Sequence, residues 1–210
     1  MVMIITVLGA GGQVGQRVVA LCMERGYTVT ALVHSHNPFA DQAGLTVIAG
    51  DIYSHADISR ALVGSDAVIS TLGSWHTKRK DVLRSAMELV VPAMNVAGIK
   101  RIITVTGSGA LWSGDQVRLI DRLGRFLLLI IAPKILRDGE AHIELLARGG
   151  LDWTTVRSPV MTGSEQDGYA LRARLPIGVA TIPRLAVATA MVDLLTSSDF
   201  DRQAPVIYKH

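Results

Sequence analysis

Short apolar runs alternate with amphipathic stretches along most of the chain, and that alternation predicts repeated β–α–β units. Ile4–Leu8 reads as a buried strand, followed by a glycine-rich turn and a helix over Gln13–Arg25 that Gly26 stops. Strands are predicted at Thr28–Val33, Leu45–Ala49, Asp66–Ser70, Arg101–Thr106 and Trp153–Val156. Helices are predicted at Ala56–Val63, Lys78–Ala97, Gln116–Ile131 and Leu136–Arg148, with Pro92 expected to kink the second of these. Parallel strands need crossover helices, and right-handed crossovers wind such units into an α/β, Rossmann-like doubly wound parallel sheet. The regularity holds to about residue 157. Beyond it, Gly163–Gly178 reads as loop and hairpin, Pro183–Leu195 as a helix and Pro205–Tyr208 as a last strand. The whole, 1–210, is expected to form one domain, with about 158–210 as a small irregular C-terminal part on the substrate side.

Composition narrows the class. With 49% hydrophobic and 19% charged residues the chain has ample core material, which excludes a disordered protein, and 5% aromatics make that core aliphatic. A net charge of +3 is too small to argue for nucleic acid. The single cysteine, Cys22, excludes a disulfide framework, fits a reducing compartment and reads as an inert thiol on the buried face of the first helix. Met1–Leu8 lacks a basic leader region, and the longest apolar run, Phe126–Ala132, falls far short of the ~20 residues needed to span a bilayer. The expectation is a cytoplasmic protein, monomeric or a small homo-oligomer, with no membrane partner.

Gly9-Ala10-Gly11-Gly12-Gln13-Val14-Gly15 joins the first strand to the first helix, with glycines at 9, 12 and 15. Gly9 suits the tight turn, Gly12 lets a pyrophosphate approach the backbone, and Gly15 lets the helix pack closely on the sheet. Gln13 and Val14 open the helix, whose N-terminal amides attract phosphate. The motif in this context predicts a dinucleotide. An NAD site carries Asp or Glu at the end of the second strand, but here the residues are Val33-His34-Ser35-His36-Asn37, with no carboxylate before Asp41. His34 and Ser35 can donate to a 2′-phosphate, so NADP(H) is favoured over NAD(H). No third ligand accompanies His34-x-His36, so no metal is expected. Asp51 and Ile52 after the third strand, Thr71, Leu72 and Gly73 after the fourth, and Thr106 at the end of the fifth complete the predicted cofactor walls.

These segments resemble the atypical short-chain dehydrogenase/reductase superfamily, and within it the NmrA-like NAD(P)H-binding group that contains biliverdin-IXβ reductase/flavin reductase. The likeness is carried by the glycine loop, Ala31-Leu32-Val33, Gly50-Asp51, Asp66-Ala67-Val68-Ile69, Ile99-Lys100-Arg101, Thr106–Trp112 and Gly149–Pro159, above all Gly150-Leu151-Asp152-Trp153-Thr154-Thr155-Val156-Arg157. The resemblance implies that Pro159 borders the cofactor and that Ser108, in Thr106-Gly107-Ser108-Gly109, polarises the substrate. None of Tyr27, Tyr53, Tyr169 and Tyr208 has a lysine four residues on, so the Tyr-x-x-x-Lys pair of the superfamily's ordinary dehydrogenases is missing, a pair that flavin-reductase-like relatives work without. The chain departs from those relatives in two ways: His34 replaces an arginine, and Val160 replaces a histidine.

Trp75 and Trp112 follow strand ends where a planar acceptor can stack; Trp153 reads as core. His76 is a candidate proton donor, Lys134 a remote candidate, and His142 reads as an exposed helix residue with carboxylate neighbours. Lys78-Arg79-Lys80 can attract a phosphate such as that of FMN, while the Arg118, Arg122 and Arg125 stripe reads as a solvated face. Two functions follow. One is an NADPH-dependent reductase of a flavin, quinone or similar planar acceptor, with flavin as substrate. The other is a non-catalytic NADP(H) sensor acting through a protein partner. Isomerisation of a nucleotide-linked sugar is disfavoured by the missing tyrosine.

Overall fold

The computed structural model describes residues 2–75, 77–117, 125–126, 129–173 and 180–209. Six strands rich in Val, Ile and Thr form the main parallel array: β1 (Ile4–Leu8), β2 (Thr28–Val33), β3 (Leu45–Ala49), β4 (Ala67–Ser70), β5 (Arg101–Gly107) and β6 (Asp152–Ser158). They are followed by β7 (Val160–Thr162), β8 (Tyr169–Arg172), β9 (Thr181–Pro183) and β10 (Val206–Lys209). The helices described are α1 (Gln13–Glu24), α2 (His55–Leu62), α3 (Val82–Ala97), α4 (Pro133–Arg148) and α5 (Arg184–Asp193). The main sheet runs β3-β2-β1-β4-β5-β6-β10-β8, parallel throughout except for β8, and β7 pairs with β9 in a separate small sheet.

Each face of the sheet is covered, as a sheet of continuous apolar strands requires. On one side α1 and α5 pack together, burying Val18, Val19, Cys22, Val187 and Met191 against β1 and β2. On the other, α2, α3 and α4 bury Ile58, Met87, Met94 and Ile143 with Trp153 of β6. Of the C-terminal residues, α5 and β10 therefore complete the main core. Cys22 lies in it as expected, with its thiol pushed up to about 12 by burial.

Three sequence expectations change. The helix expected from Lys78 begins at Val82, because residues 77–81 fold into a loop: Lys80 Nζ donates to the carbonyls of Ser74 and Trp75 at 3.1 and 3.0 Å, and Arg79 pairs with Asp81. That helix then runs unbroken through Pro92, whose missing N–H would have served Glu88; both residues sit on the exposed face, open to solvent. Within the loop and hairpin expected over 163–178, β8 pairs outside the segment, with β10, antiparallel from Tyr169↔Lys209 to Arg172↔Val206, and residues 174–178 lie outside the described residues. Of the helix expected over Gln116–Ile131, residues 118–124 and 127–128 lie outside the described residues.

One buried ion pair fixes the loop after β5. Arg157, on β6, is 0% exposed. Its guanidinium donates to both Asp115 oxygens at 2.6 and 2.9 Å and to the Ala110 carbonyl at 3.1 Å, while Trp112 N–H donates to Asp115 as well. The loop over 108–115 is thus tied at both ends to the floor of the sheet. Removing one member of such a pair leaves a buried charge unpaired, so Asp115→Ala is expected to lose about 3–5 kcal/mol of stability in urea unfolding. The double variant Asp115→Ala, Arg157→Met should regain part of it; a loss below about 1 kcal/mol for the single variant would show that the pair is not what holds the loop.

Candidate functional site

At β1 and β4 the chain leaves the sheet in opposite directions, toward β2 on one side and β5 on the other. The crevice at their carboxyl ends is where ligands bind in open α/β sheets. Gly9 turns off β1 at φ +75°, a conformation L side chains rarely adopt, and its carbonyl accepts from Gly12 N–H at 3.0 Å. A Cβ at Gly15 would overlap that same Gly9 carbonyl, so only glycine lets α1 begin this close to the strand. The N-cap is Gly12, which has no capping side chain, and the first turn has no acidic residue. The N–H groups of Gln13, Val14 and Gly15 thus have no intrahelical acceptor, and the dipole adds a partial positive charge. A cradle of this kind fits a pyrophosphate.

The other predicted cofactor residues gather along the same edge. Thr71 Oγ1 donates to the carbonyls of Leu8 and Gly9 at 3.1 Å each, and a Cβ on Gly9 would lie 3.1 Å from Leu72. This presses the loop after β4, with its exposed Gly73, against the glycine loop. Beyond β2, His34 and Ser35 are exposed, and the His36 carbonyl approaches Gly11. Asp51 donates its N–H to Asp57 at 3.0 Å and accepts Tyr53 N–H on Oδ1 at 3.0 Å, which leaves Oδ2 to accept from a ligand; Ile52 sits beside it, half-buried. Thr106, next to last in β5, has its hydroxyl under Gly139 of α4, where a Cβ would overlap it, and Pro159 follows β6.

On the acceptor side, Ser108 N–H donates to the Ser158 carbonyl at 2.8 Å, while its hydroxyl makes no hydrogen bond among the described residues. Ser70 pairs in register with Thr104, so the loops holding Thr71–Gly73 and Ser108 leave adjacent strand ends. Trp75 is 61% exposed. Trp112 is placed differently: its ring meets core Trp153 edge-on at 5.3 Å and covers Gly114. His76 lies outside the described residues, as do Arg118 and Arg122, while Arg125 of the same stripe pairs with Glu140. Among the described residues no group of three or more His, Cys, Asp or Glu side chains is arranged to hold a metal, and no helix is long and apolar enough to cross a membrane.

The sequence reading missed the side chains that position these loops. Asp138 of α4 is buried and accepts from Ser74 Oγ, from Leu83 N–H at 3.1 Å and from Arg84 N–H at 2.8 Å. One carboxylate therefore caps α3 and anchors the loop that follows β4. Glu144 accepts Ser113 N–H at 2.8 Å and steadies the loop after β5.

His142 corrects an expectation outright. It is 1% exposed, and its Nε2 lies 2.9 Å from Thr104 Oγ1, which in turn lies 2.8 Å from Thr155 Oγ1. Residues three and four apart share a helix face, so the carboxylates near it in sequence do not surround it in space. Burial lowers its pKa from 6.5 to about 4, which the Gly139 carbonyl opposes only in part. The unfolded chain takes up this proton first, so stability is full above pH 6.5 and is lost as pH falls toward about 4. Unfolding free energies compared at about pH 7.5 and 5 should differ by on the order of 2 kcal/mol, and His142→Gln should flatten that difference. An unchanged slope in the variant would place the titration elsewhere.

A family model for NAD(P)H-binding proteins matches residues 9–198, nearly the whole chain. Over 95 residues the chain is 38% identical to the isoflavone reductase homolog IRL of Zea mays, covering 40% of this chain and 30% of that protein. The chain spans about a third of the length of the first curated relatives it matches. The uncharacterized sugar epimerase YhfK of Bacillus subtilis is 31% identical over 153 residues, covering 69% of this chain and 70% of the other. Among solved structures, ChuY, an anaerobillin reductase from Escherichia coli O157:H7, superposes with a TM-score of 0.80 at 21% identity, covering 99% of this chain and 97% of that one. That likeness is one of fold, and it agrees with the crevice geometry. The chain belongs to the NAD(P)H-binding family whose model it matches over nearly its whole length.

Proposed function

We propose that the protein is a reductase that prefers NADPH and passes a hydride to a flavin, quinone or similar planar acceptor. One observation carries this reading: the phosphate cradle of α1 and the unengaged Ser108 hydroxyl stand at the carboxyl ends of β1 and β5, on either side of β4 at one edge of the sheet, with no tyrosine–lysine pair in the chain. When bound, the nicotinamide supplies the hydride. The protein's own work is then positioning. Gly9, Gly12 and Gly15 admit the pyrophosphate against the backbone, and Thr71 and Leu72 hold the loop that walls it in. His34 and Ser35 offer donors to a 2′-phosphate where a carboxylate would repel it. Ser108 donates to the acceptor atom on which negative charge develops, and solvent delivers the last proton. Trp75 offers the exposed ring face, while Trp112 braces its loop against Trp153.

An epimerase-type reaction needs a general acid–base group at the transfer site, and the tyrosines are elsewhere. Tyr169 is committed to Asp193 at 2.5 Å, with its pKa raised first by burial and then by that bond, and Tyr53 lies on the Asp51 side under the Arg79 guanidinium. The reductase reading is tested by titrating NADPH and NADH against tryptophan fluorescence and following oxidation at 340 nm with FMN, riboflavin and small quinones. NADPH should bind about tenfold more tightly than NADH. Gly12→Glu should abolish both binding and turnover, and Ser108→Ala should lower kcat by about tenfold to a hundredfold at unchanged cofactor affinity. NADH binding as tightly as NADPH would overturn the cofactor preference. Tight cofactor binding without turnover on any acceptor would overturn the reductase and favour a redox sensor acting through a protein partner.

A further inference from the structure

A second open cavity, of about 500 Å³, lies where the N-terminal ends of α3 and α4 meet. Five cations line it: Lys78, Lys80, Arg84, Lys134 and Arg137. The two carboxylates in its wall do not answer them. Asp138 is buried and already takes three donors, from Ser74, Leu83 and Arg84 backbone. Asp81 is held by Arg79 and Ser85, and the Arg79 guanidinium keeps its carboxyl down at about 2. Lys80 is spent on two carbonyls of the loop and Arg84 pairs with exposed Glu88. Lys78, Lys134 and Arg137 make no hydrogen bond or ion pair among the described residues.

The placement of these cations is locally unfavourable twice over. Neither α3 nor α4 has an acidic residue in its first turn, yet Arg84 and Lys134 sit there, where the helix dipole repels positive charge. Arg137 follows Lys134 by three residues, on the same face of α4. Asp138 and Glu88 answer part of this charge at α3, and an anion in the space between the two helix starts would offset what Lys78, Lys134 and Arg137 leave over. The cavity also shares a wall with the cofactor crevice. The loop whose Thr71 and Leu72 press on Gly9 continues through exposed Trp75 to Lys78 and Lys80.

We propose that this cavity binds a phosphate monoester carried by the acceptor, through Lys78, Lys134 and Arg137, while the acceptor's planar ring lies on the Trp75 side toward the cofactor. The assignment rests on the reductase reading for the ring and on the cation cluster alone for the phosphate, and the two separate experimentally. FMN and riboflavin share one ring and differ by the phosphate. Equilibrium binding, read by flavin fluorescence on the NADP⁺-loaded protein, should favour FMN over riboflavin by at least about tenfold at low salt. In the double variant Lys134→Gln, Arg137→Gln, whose side chains are exposed, that ratio should fall to about one while riboflavin affinity and thermal stability hold. Inorganic phosphate should compete with FMN and not with riboflavin. Equal affinity for the two flavins in the parent protein, or an FMN preference that survives the double variant, would overturn the site. Because the readout is binding, a protein that turns over no acceptor can still support or refute the site. An FMN preference without turnover would retain it and overturn only the reductase reading.

Discussion

The amide groups at the start of a helix have to find acceptors, and this protein meets that requirement in two opposite ways. At α1 nothing among the described residues does so: the cap is a glycine, the first turn has no carboxylate, and Gly15 brings the open end close against β1. At α3 the requirement is met from another element, by Asp138 of α4. The open end gives the crevice between β1 and β4 the geometry that fits a pyrophosphate. The closed end makes a rigid post of the loop that forms the crevice's far wall, since Asp138 also holds Ser74. Moving a carboxylate from one helix start to the other would undo both.

The loops around the crevice are held by side chains with no direct part in the chemistry. Arg157 and Asp115 fasten the loop after β5, and Glu144 and the Trp112–Trp153 contact hold its middle. Fixed loops suit a reaction that depends on placing two rings in register, because a small displacement costs rate even when every group is present. In the proposed reaction no tyrosine–lysine pair supplies the proton, so positioning would carry more of the effect.

The difference between what was legible in the sequence and what was not follows sequence distance. The strands from Ile4 to Trp153, the glycine loop and the edge it defines could be read, because apolar runs and turn glycines act within a few residues of themselves. The residues that join elements could not. Arg157 finds Asp115 at a separation of 42 residues, Asp138 finds Leu83 at 55, and His142 finds Thr104 at 38. Each looked like an ordinary polar residue of its own element, and His142 was misplaced to the surface for that reason. The one local clue was Gly139: a glycine inside a helix marks a face that must approach something closely, here Thr106. Similarly, Lys78–Asp81 has helical composition but is drawn into a loop by Lys80's bonds to the carbonyls of Ser74 and Trp75.

The central claim is that the crevice brings a nicotinamide against a planar acceptor so that hydride passes between them. Its most direct test is a single-turnover experiment with NADPH deuterated at one or the other C4 position, mixed with protein and a flavin or quinone and followed at 340 nm. The account predicts an acceptor-dependent loss of absorbance that slows several-fold for one C4 diastereomer and not for the other, as a fixed ring face requires. No acceptor-dependent loss with NADPH bound, or a loss indifferent to which position carries deuterium, would contradict it.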